Sequence, residues 1–339
     1  GLVGTAEFLY SRDVNGMYYI NANLKPANSR FVGADNRLRW TSTASAVTRI
    51  NTAVSNATVL KNQNVGSSWN ITAALEKPFD DGLYAKFAYN YGEAKNTVDP
   101  GSIAFGSWSG NAHPNDPNNP GVGFAATSPG HRVFAAISYR QEYFDFGGTT
   151  ISLFWEGRTL GNASYTFSAD MNNDGGTNDL IYVPKDQSEM NFAAIGGTVP
   201  FTAQQQADAW EAFIQQDKYL STHRGQYAER NAVFLPMIYR ADLSIVQDVF
   251  TDILGKRNTL QLRADFLNVG NLINKSWGLG QRFVTTQPLI PTTARVDGQG
   301  KAQYTLRVLN SQLITQSLEP TAGISDVFRI QFSLRYIFN

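Results

Sequence analysis

Residues Val327 to Phe338 read VFRIQFSLRYIF. Phe328, Ile330, Phe332, Leu334, Tyr336 and Phe338 fall on one side of an extended chain. Arg329, Gln331, Ser333 and Arg335 fall on the other, because strand side chains alternate with a period of two. The stretch therefore predicts a two-faced strand, apolar on one side and polar on the other. In a soluble protein such an apolar face is covered by further chain, whereas here only Asn339 follows.

Upstream, the same alternation recurs seven times. Leu260, Leu262, Ala264 and Phe266 oppose Thr259, Gln261, Arg263 and Asp265, and Tyr239, Ala241, Leu243 and Ile245 oppose Arg240, Asp242 and Ser244. Ile151, Leu153, Trp155 and Gly157 oppose Ser152, Glu156 and Arg158; Val133, Ala135, Ile137 and Tyr139 oppose Arg132, Ser138 and Arg140. Two more strands run through Leu83 to Tyr91 and Trp69 to Leu75, and residues 3–24 read as one long first strand with Ala6, Phe8 and Tyr10 on its apolar face. The connections alternate in length. Pro78 to Gly82, Tyr143 to Thr149 and Thr251 to Asn258 are short, while a Gly-, Pro-, Asn- and Ser-rich stretch over 97–130, an insertion over about 167–236 and an excursion from Lys275 to Ser325 are long. The 97–130 stretch reads as an exposed loop unable to supply a core. Phe79, Tyr143, Phe144, Phe146, Phe250 and Phe338 gather at the short-turn end, where a membrane barrel carries an aromatic girdle.

Composition agrees with this reading. Lys plus Arg equals Asp plus Glu at 28 each, so no basic field argues for nucleic acid. Charged residues make up 17% of the chain, below the roughly 25% of soluble domains, while Phe, Tyr and Trp number 21, 15 and 6. Cysteine is absent, which excludes disulfides, thiolate metal sites and thiol nucleophiles. Apolar runs fall well short of the ~18–20 residues a spanning helix needs, so a membrane would be crossed by strands. The opening GLVGTAEFLYSR has neither a basic n-region nor an apolar h-region, so Gly1 is expected to be a processed N-terminus or an internal position.

The terminal strand resembles the C-terminal strand of bacterial outer-membrane β-barrels, which finishes on Phe; Phe332, Leu334, Tyr336 and Phe338 carry that signal, with Asn339 displacing Phe338 from the end. More narrowly, SPGHRVFAAISY, DMNNDGGTNDLIYVP, RGQYAERN, YRADLSIVQD, LQLRADFLNVGNLINKSWG and DVFRIQFSLRYIF are together similar to the barrel of TonB-dependent outer-membrane transporters of the Oar-like group. That resemblance implies an all-β, antiparallel transmembrane barrel of 22 strands with an N-terminal plug. Residues 1–339 would supply about eight C-terminal strands and a large external loop at 167–236, with no plug in this chain. It also implies a ligand (peptide, glycan or chelate) captured by external loops and passed across the outer membrane of a Gram-negative bacterium. The implied partners are outer-membrane lipid, the barrel-assembly machinery and, through the region this chain lacks, the TonB complex.

Two alternatives stay open on the residues alone: a stand-alone eight-stranded barrel with a structural or adhesive role, and a secreted calcium-binding β-sandwich. The inward set Glu156, Arg158, Arg240, Asp242, Arg263, Asp265, Arg329 and Arg335 would either plug a narrow lumen by pairing or line a wide wet one. Asp242 and Asp265 each stand two residues from an arginine and are expected to pair with positive charge. The long insertion favours the wide barrel.

One local motif carries ligand chemistry. Asp170, Asn172 and Asp174 followed by Gly175 fit the first half of D-x-[DN]-x-[DN]-G, in which alternate oxygens converge on Ca²⁺ and the glycine permits a sharp turn. Position twelve is Ile181, so the loop is no EF-hand; Asn178 and Asp179 would supply the missing oxygens. The competing reading is a polar turn in which Asp and Asn bond their own backbone. Calcium is thus a candidate ion and no cofactor is required. Thr202 to Gln216 predicts a helix with capping-box spacing at Thr202 and Gln205 and an apolar stripe at Trp210, Phe213 and Ile214, which makes the insertion a folded cap. His113, His131 and His223 lie in separate segments without ligand spacing and predict no metal cluster. No nucleophile elbow, phosphate loop or zinc-helix motif supports an enzyme.

Overall fold

Eight long antiparallel strands form one meandering sheet in a computed structural model that describes residues 1–41, 48–253 and 255–338. In chain order they are β1 (Val3–Arg12), β2 (Ser67–Asp80), β3 (Leu83–Asn96), β4 (Gly130–Tyr143), β5 (Gly147–Thr159), β6 (Met237–Ile253), β7 (Lys256–Leu267) and β8 (Arg329–Ile337). Each pairs with its neighbours in sequence. Among the described residues β1 pairs only with β2, and β8 only with β7, along this sheet, so the sheet is open.

The register fixes the faces. Ala85, Ile137, Leu153, Leu243, Phe266 and Ile330 form one row across six strands, β3 to β8. One residue along, Tyr84, Ser138, Ser152, Ser244, Asp265 and Gln331 form a polar row on the opposite face. A one-residue slip anywhere would exchange the two. The apolar face is uncovered: Phe332 is 78% exposed, Phe338 75% and Leu334 69%, and Tyr336 is also exposed. A folded water-soluble chain of 37.4 kDa exposes about 13,700 Å², whereas this one exposes 18425 Å². The excess reflects a sheet whose two faces no second layer covers, one of them an apolar face of a kind soluble monomers keep small.

Turn chemistry explains the short ends. Asp81 and Gly82, with φ of 49° and 75°, are both left-handed, as a two-residue turn matched to strand twist requires. Phe144 and Asp145, at 54° and 48°, reverse the chain between β4 and β5. The connections are shorter than expected, because Pro78 to Asp80, Tyr143, Gly147 to Thr149, Thr251 to Ile253 and Lys256 to Asn258 belong to strands. Leu254 of the third turn and Asn339 lie outside the described residues. Phe79, Phe144 and Phe146 are exposed at this end, whereas Phe250 is half-buried under the Arg257 guanidinium, 3.6 Å from its ring centre.

The first strand is not continuous through residue 24. β1 stops at Arg12, Asn15 turns left-handed at φ 59°, and Gly16–Asn21 starts a separate ladder with Thr58–Gln63. Asp13 still donates its N–H to Gly66 O at 3.1 Å, so the break is a kink within one hairpin.

The buried core sits beyond the strand ends, in the long connections. Tyr165, Phe167, Met171, Ile181 and Leu220 pack with Leu289 and Leu306 of the last connection and Phe31 of the first. Residues 97–130 contribute too, contrary to the expectation of an exposed loop: helix α1 (Ala104–Ser109) buries Trp108 against Leu24 and Trp40. A polar connection can be buried when neighbouring connections pool their few apolar side chains. The last connection is likewise folded, around the Leu289–Val296 and Ala302–Leu306 pair.

Helix α2 (Ala203–Gln216) follows the expected reading. Thr202 accepts from the Gln205 N–H at 3.2 Å, Gln205 returns the bond to the Thr202 N–H at 2.8 Å, and Trp210, Phe213 and Ile214 are fully buried. Thr202→Ala is expected to destabilise the cap by about 1 kcal/mol, read as earlier loss of tryptophan fluorescence in urea with an unchanged unfolding transition of the sheet.

Candidate metal centre

The DMNNDGGTND segment, 170–179, folds on itself first. Asp170 accepts the N–H groups of Asn173 at 2.6 Å and Gly175 at 2.9 Å. Asn172 accepts from the Asp174 N–H at 3.1 Å, and Asp174 Oδ1 from the Gly176 N–H at 2.6 Å. Asn173 takes a left-handed φ of 64° and Gly175 one of 92°, the latter being why a glycine follows Asp174. The Asn178 amide donates to Gly110 O. Of the five residues the sequence nominates, Asp174 and Asp179 alone keep a buried oxygen without a hydrogen-bond partner.

Those two oxygens meet residues from other connections. His113 is held to this segment by its main chain, its N–H donating to Asn178 O at 3.2 Å while its carbonyl accepts from the Leu180 N–H at 2.9 Å. Its ring, 1% exposed, stands with Nε2 3.4 Å from Asp174 Oδ2. One ligand atom each from His113, Asp174 and Asp179 lies within 4.8 Å of the others. Asp179 Oδ2 accepts the Met171 N–H at 2.7 Å, and Asp179 Oδ1 lies 3.6 Å from Arg37 Nη1. Arg37, fully buried, bonds Asp35 through Nε at 2.9 Å and lies over the rings of Phe167 and Tyr227, each 5.1 Å away.

Burial controls the protonation of the cluster. It pushes the Asp174 carboxyl up to about 7, helped by the nearby charge of Asp170. It does the same to Asp179, also to about 7, with Asp174 adding and Arg37 opposing. Asp170 is raised by burial against the pull of its backbone N–H donors. Burial lowers His113 below its ordinary value and so favours the neutral imidazole, the form that ligates metals. Burial alone would lower Arg37, but the Asp35 and Asp179 carboxylates outweigh it and hold the guanidinium above its usual range.

Sequence reasoning missed His113 and Arg37. Neither carries a local signal, since each ligand neighbour comes from a different connection. The expectation that the histidines join no cluster is therefore corrected for His113, which the fold brings to Asp174. His131 stacks on Tyr91 at 4.4 Å and His223 on Tyr219 at 4.0 Å, both away from the carboxylates.

The polar sheet face holds the other nominated residues. Glu156 accepts from Arg132 at 2.8 Å and lies 3.4 Å from Arg158; Arg263 pairs with Asp265 at 2.8 Å. Asp242 does not pair with Arg240 as expected. It accepts the Asn268 N–H at 2.7 Å, just past the end of β7, while Arg240 reaches Asp326 at 3.0 Å, at the far end of the last connection. Arg329 and Arg335 are exposed on β8, and Arg335 lines a cleft of about 800 Å³ on this face with Ser138, Ser152, Arg263 and Asp265. No protein-family model, curated protein or solved structure matches the chain.

Proposed function

We propose that this chain is part of an outer-membrane β-barrel transporter, with β1 to β8 crossing the lipid and the long connections forming an external cap. One observation carries the reading: a continuous belt of uncovered apolar side chains on one face of a meander whose other face is polar. Lipid is the solvent that suits such a belt, and antiparallel strands with short turns at one end and long loops at the other are the form barrels take. Because β1 and β8 are the two ends of the sheet path and do not pair with each other, the geometry favours a larger barrel closed by further strands over a stand-alone eight-stranded one. A β-sandwich would require a second layer on the apolar face, and among the described residues none lies there.

In this reading the cap captures a peptide, glycan or chelate, and the polar face forms part of the passage into the cell, energised through the TonB complex. All four long connections leave the sheet at one end, so orientation is testable at a single position. Ala212 is exposed on α2 and the native chain has no cysteine. Ala212→Cys is expected to react with a membrane-impermeant maleimide on intact cells. Labelling only after the outer membrane is permeabilised would invert the topology and remove the capture role of the cap.

A further inference from the structure

We propose that His113, Asp174 and Asp179 form a binding site for a divalent cation of the Zn²⁺ or Mn²⁺ type, which ties together two external connections against which a third packs. The sequence motif alone points to Ca²⁺ and to oxygens within one loop; the geometry points elsewhere. Asp170 and the Asn172 carbonyl oxygen are engaged by backbone N–H groups of their own turn. The buried atoms of the cluster without a hydrogen-bond partner are Asp174 Oδ2, Asp179 Oδ1, His113 Nδ1 and the two terminal nitrogens of Arg37, of which Nη1 stands 3.6 Å from Asp179 Oδ1; the ring nitrogen that faces the carboxylates is His113 Nε2, 3.4 Å from Asp174 Oδ2.

Buried carboxylate oxygens without a hydrogen bond are costly and uncommon, and Asp174 Oδ2, beside a buried imidazole, has no guanidinium partner among the described residues. Charge points the same way. With both carboxyls ionised, as metal ligation requires, Asp174 and Asp179 face a single guanidinium, Arg37, which already bonds Asp35 at 2.9 Å, so negative charge is left for a divalent ion to offset. The spacing also fits, since two donors on one ion at about 2.1 Å in tetrahedral geometry stand about 3.4 Å apart, and His113 Nε2 lies 3.4 Å from Asp174 Oδ2. A nitrogen donor beside two carboxylates is the set taken by borderline metals, whereas Ca²⁺ takes oxygen ligands.

The connections involved are the β3–β4 loop, through His113, and the β5–β6 loop, through Asp174 and Asp179. The β1–β2 loop joins through Arg37 against Asp179 and through the Trp40 N–H, which donates to Asn172 O at 2.9 Å. A bound ion would thus brace the cap against local opening. The site does not depend on the barrel reading, and its test reads metal directly.

The full chain, purified in detergent and stripped with chelator, is dialysed separately against Zn²⁺, Mn²⁺ and Ca²⁺, and retained metal is measured. Retention of about one equivalent of Zn²⁺ or Mn²⁺ is expected, with protease protection of residues 97–129 and 160–236 restored by the same ion. His113→Ala and Asp179→Asn should each weaken binding at least about 100-fold, since even residues that only support a ligand are worth 10- to 100-fold. Asp170→Asn should leave the ion in place. If His113→Ala does not fold, the parent loaded with Cu²⁺ must show nitrogen coupling from one imidazole in its paramagnetic resonance spectrum. Retention of none of the ions, Ca²⁺ retention alone, binding undiminished in a folded His113→Ala, or a Cu²⁺ spectrum without nitrogen would each overturn the proposal.

Discussion

Trp210→Ala is expected to destabilise the cap by about 3–5 kcal/mol, the range for emptying a fully buried tryptophan site, while leaving the sheet folded. Trp210 is 0% exposed, its ring stacks on Phe213 at 5.1 Å, and the core around it draws on Tyr165, Ile214 and Leu220. None of the core residues packed around it belongs to β1 to β8. The loss should therefore appear as proteolytic nicking within residues 160–236 and a lower unfolding temperature of the cap. The Trp210 Nε1 has no hydrogen-bond partner, so Trp210→Phe keeps most of the packed ring without stranding a partner and should cost clearly less than Trp210→Ala. If Trp210→Ala abolished the folded sheet as readily as the cap, the two would be one cooperative unit, and the separation of cap core from sheet drawn above would fail.

The second large effect belongs to β8. If the apolar face lies against lipid as proposed, Leu334→Lys is expected to cost about 2–4 kcal/mol of stability, the penalty for a lysine on a lipid-facing strand near mid-membrane. Leu334 lies opposite Leu262 and is 69% exposed on the apolar face. Gln331→Lys is the control. Gln331 faces the polar side opposite Asp265 and lines the cleft there, so a new lysine gains a carboxylate neighbour and should change stability by no more than about 0.5 kcal/mol. The readout is the fraction of heat-modifiable, folded protein in lipid. Equal losses at the two positions would show that the apolar belt does not face lipid.

These two substitutions separate what was legible in the chain from what was not. The strands were legible because their signal is local: alternation at Phe328 to Phe338 or Ile151 to Gly157 assigns each side chain to a face before any partner is known. The capping box at Thr202 and Gln205 was legible for the same reason, its donors and acceptors lying within one turn. Reading failed where a local pattern was interrupted without a marked change in composition. Asn15 breaks the first strand by adopting left-handed φ, a conformation open to asparagine but not demanded by its neighbours. It failed again at residues 97–130, where composition alone suggested solvent and Trp108 is in fact 2% exposed.

The sequence by itself therefore determined the sheet in outline: apart from the break at Asn15 and the exact strand ends, the order of the strands, the faces of their side chains and the alternation of short and long connections follow from period-two patterning and turn residues. Tertiary structure alone decided the buried cluster in the cap. The DMNNDGGTND motif marked one wall of it, but whether its carboxylates close on their own backbone or present a free oxygen depends on His113 and Arg37, which arrive from other connections. A ligand set assembled across loops has no fixed spacing along the chain, because its geometry is set by packing among the loops. For that reason the motif suggested oxygen ligands within a single turn, while the fold brings an imidazole and a guanidinium to Asp174 and Asp179.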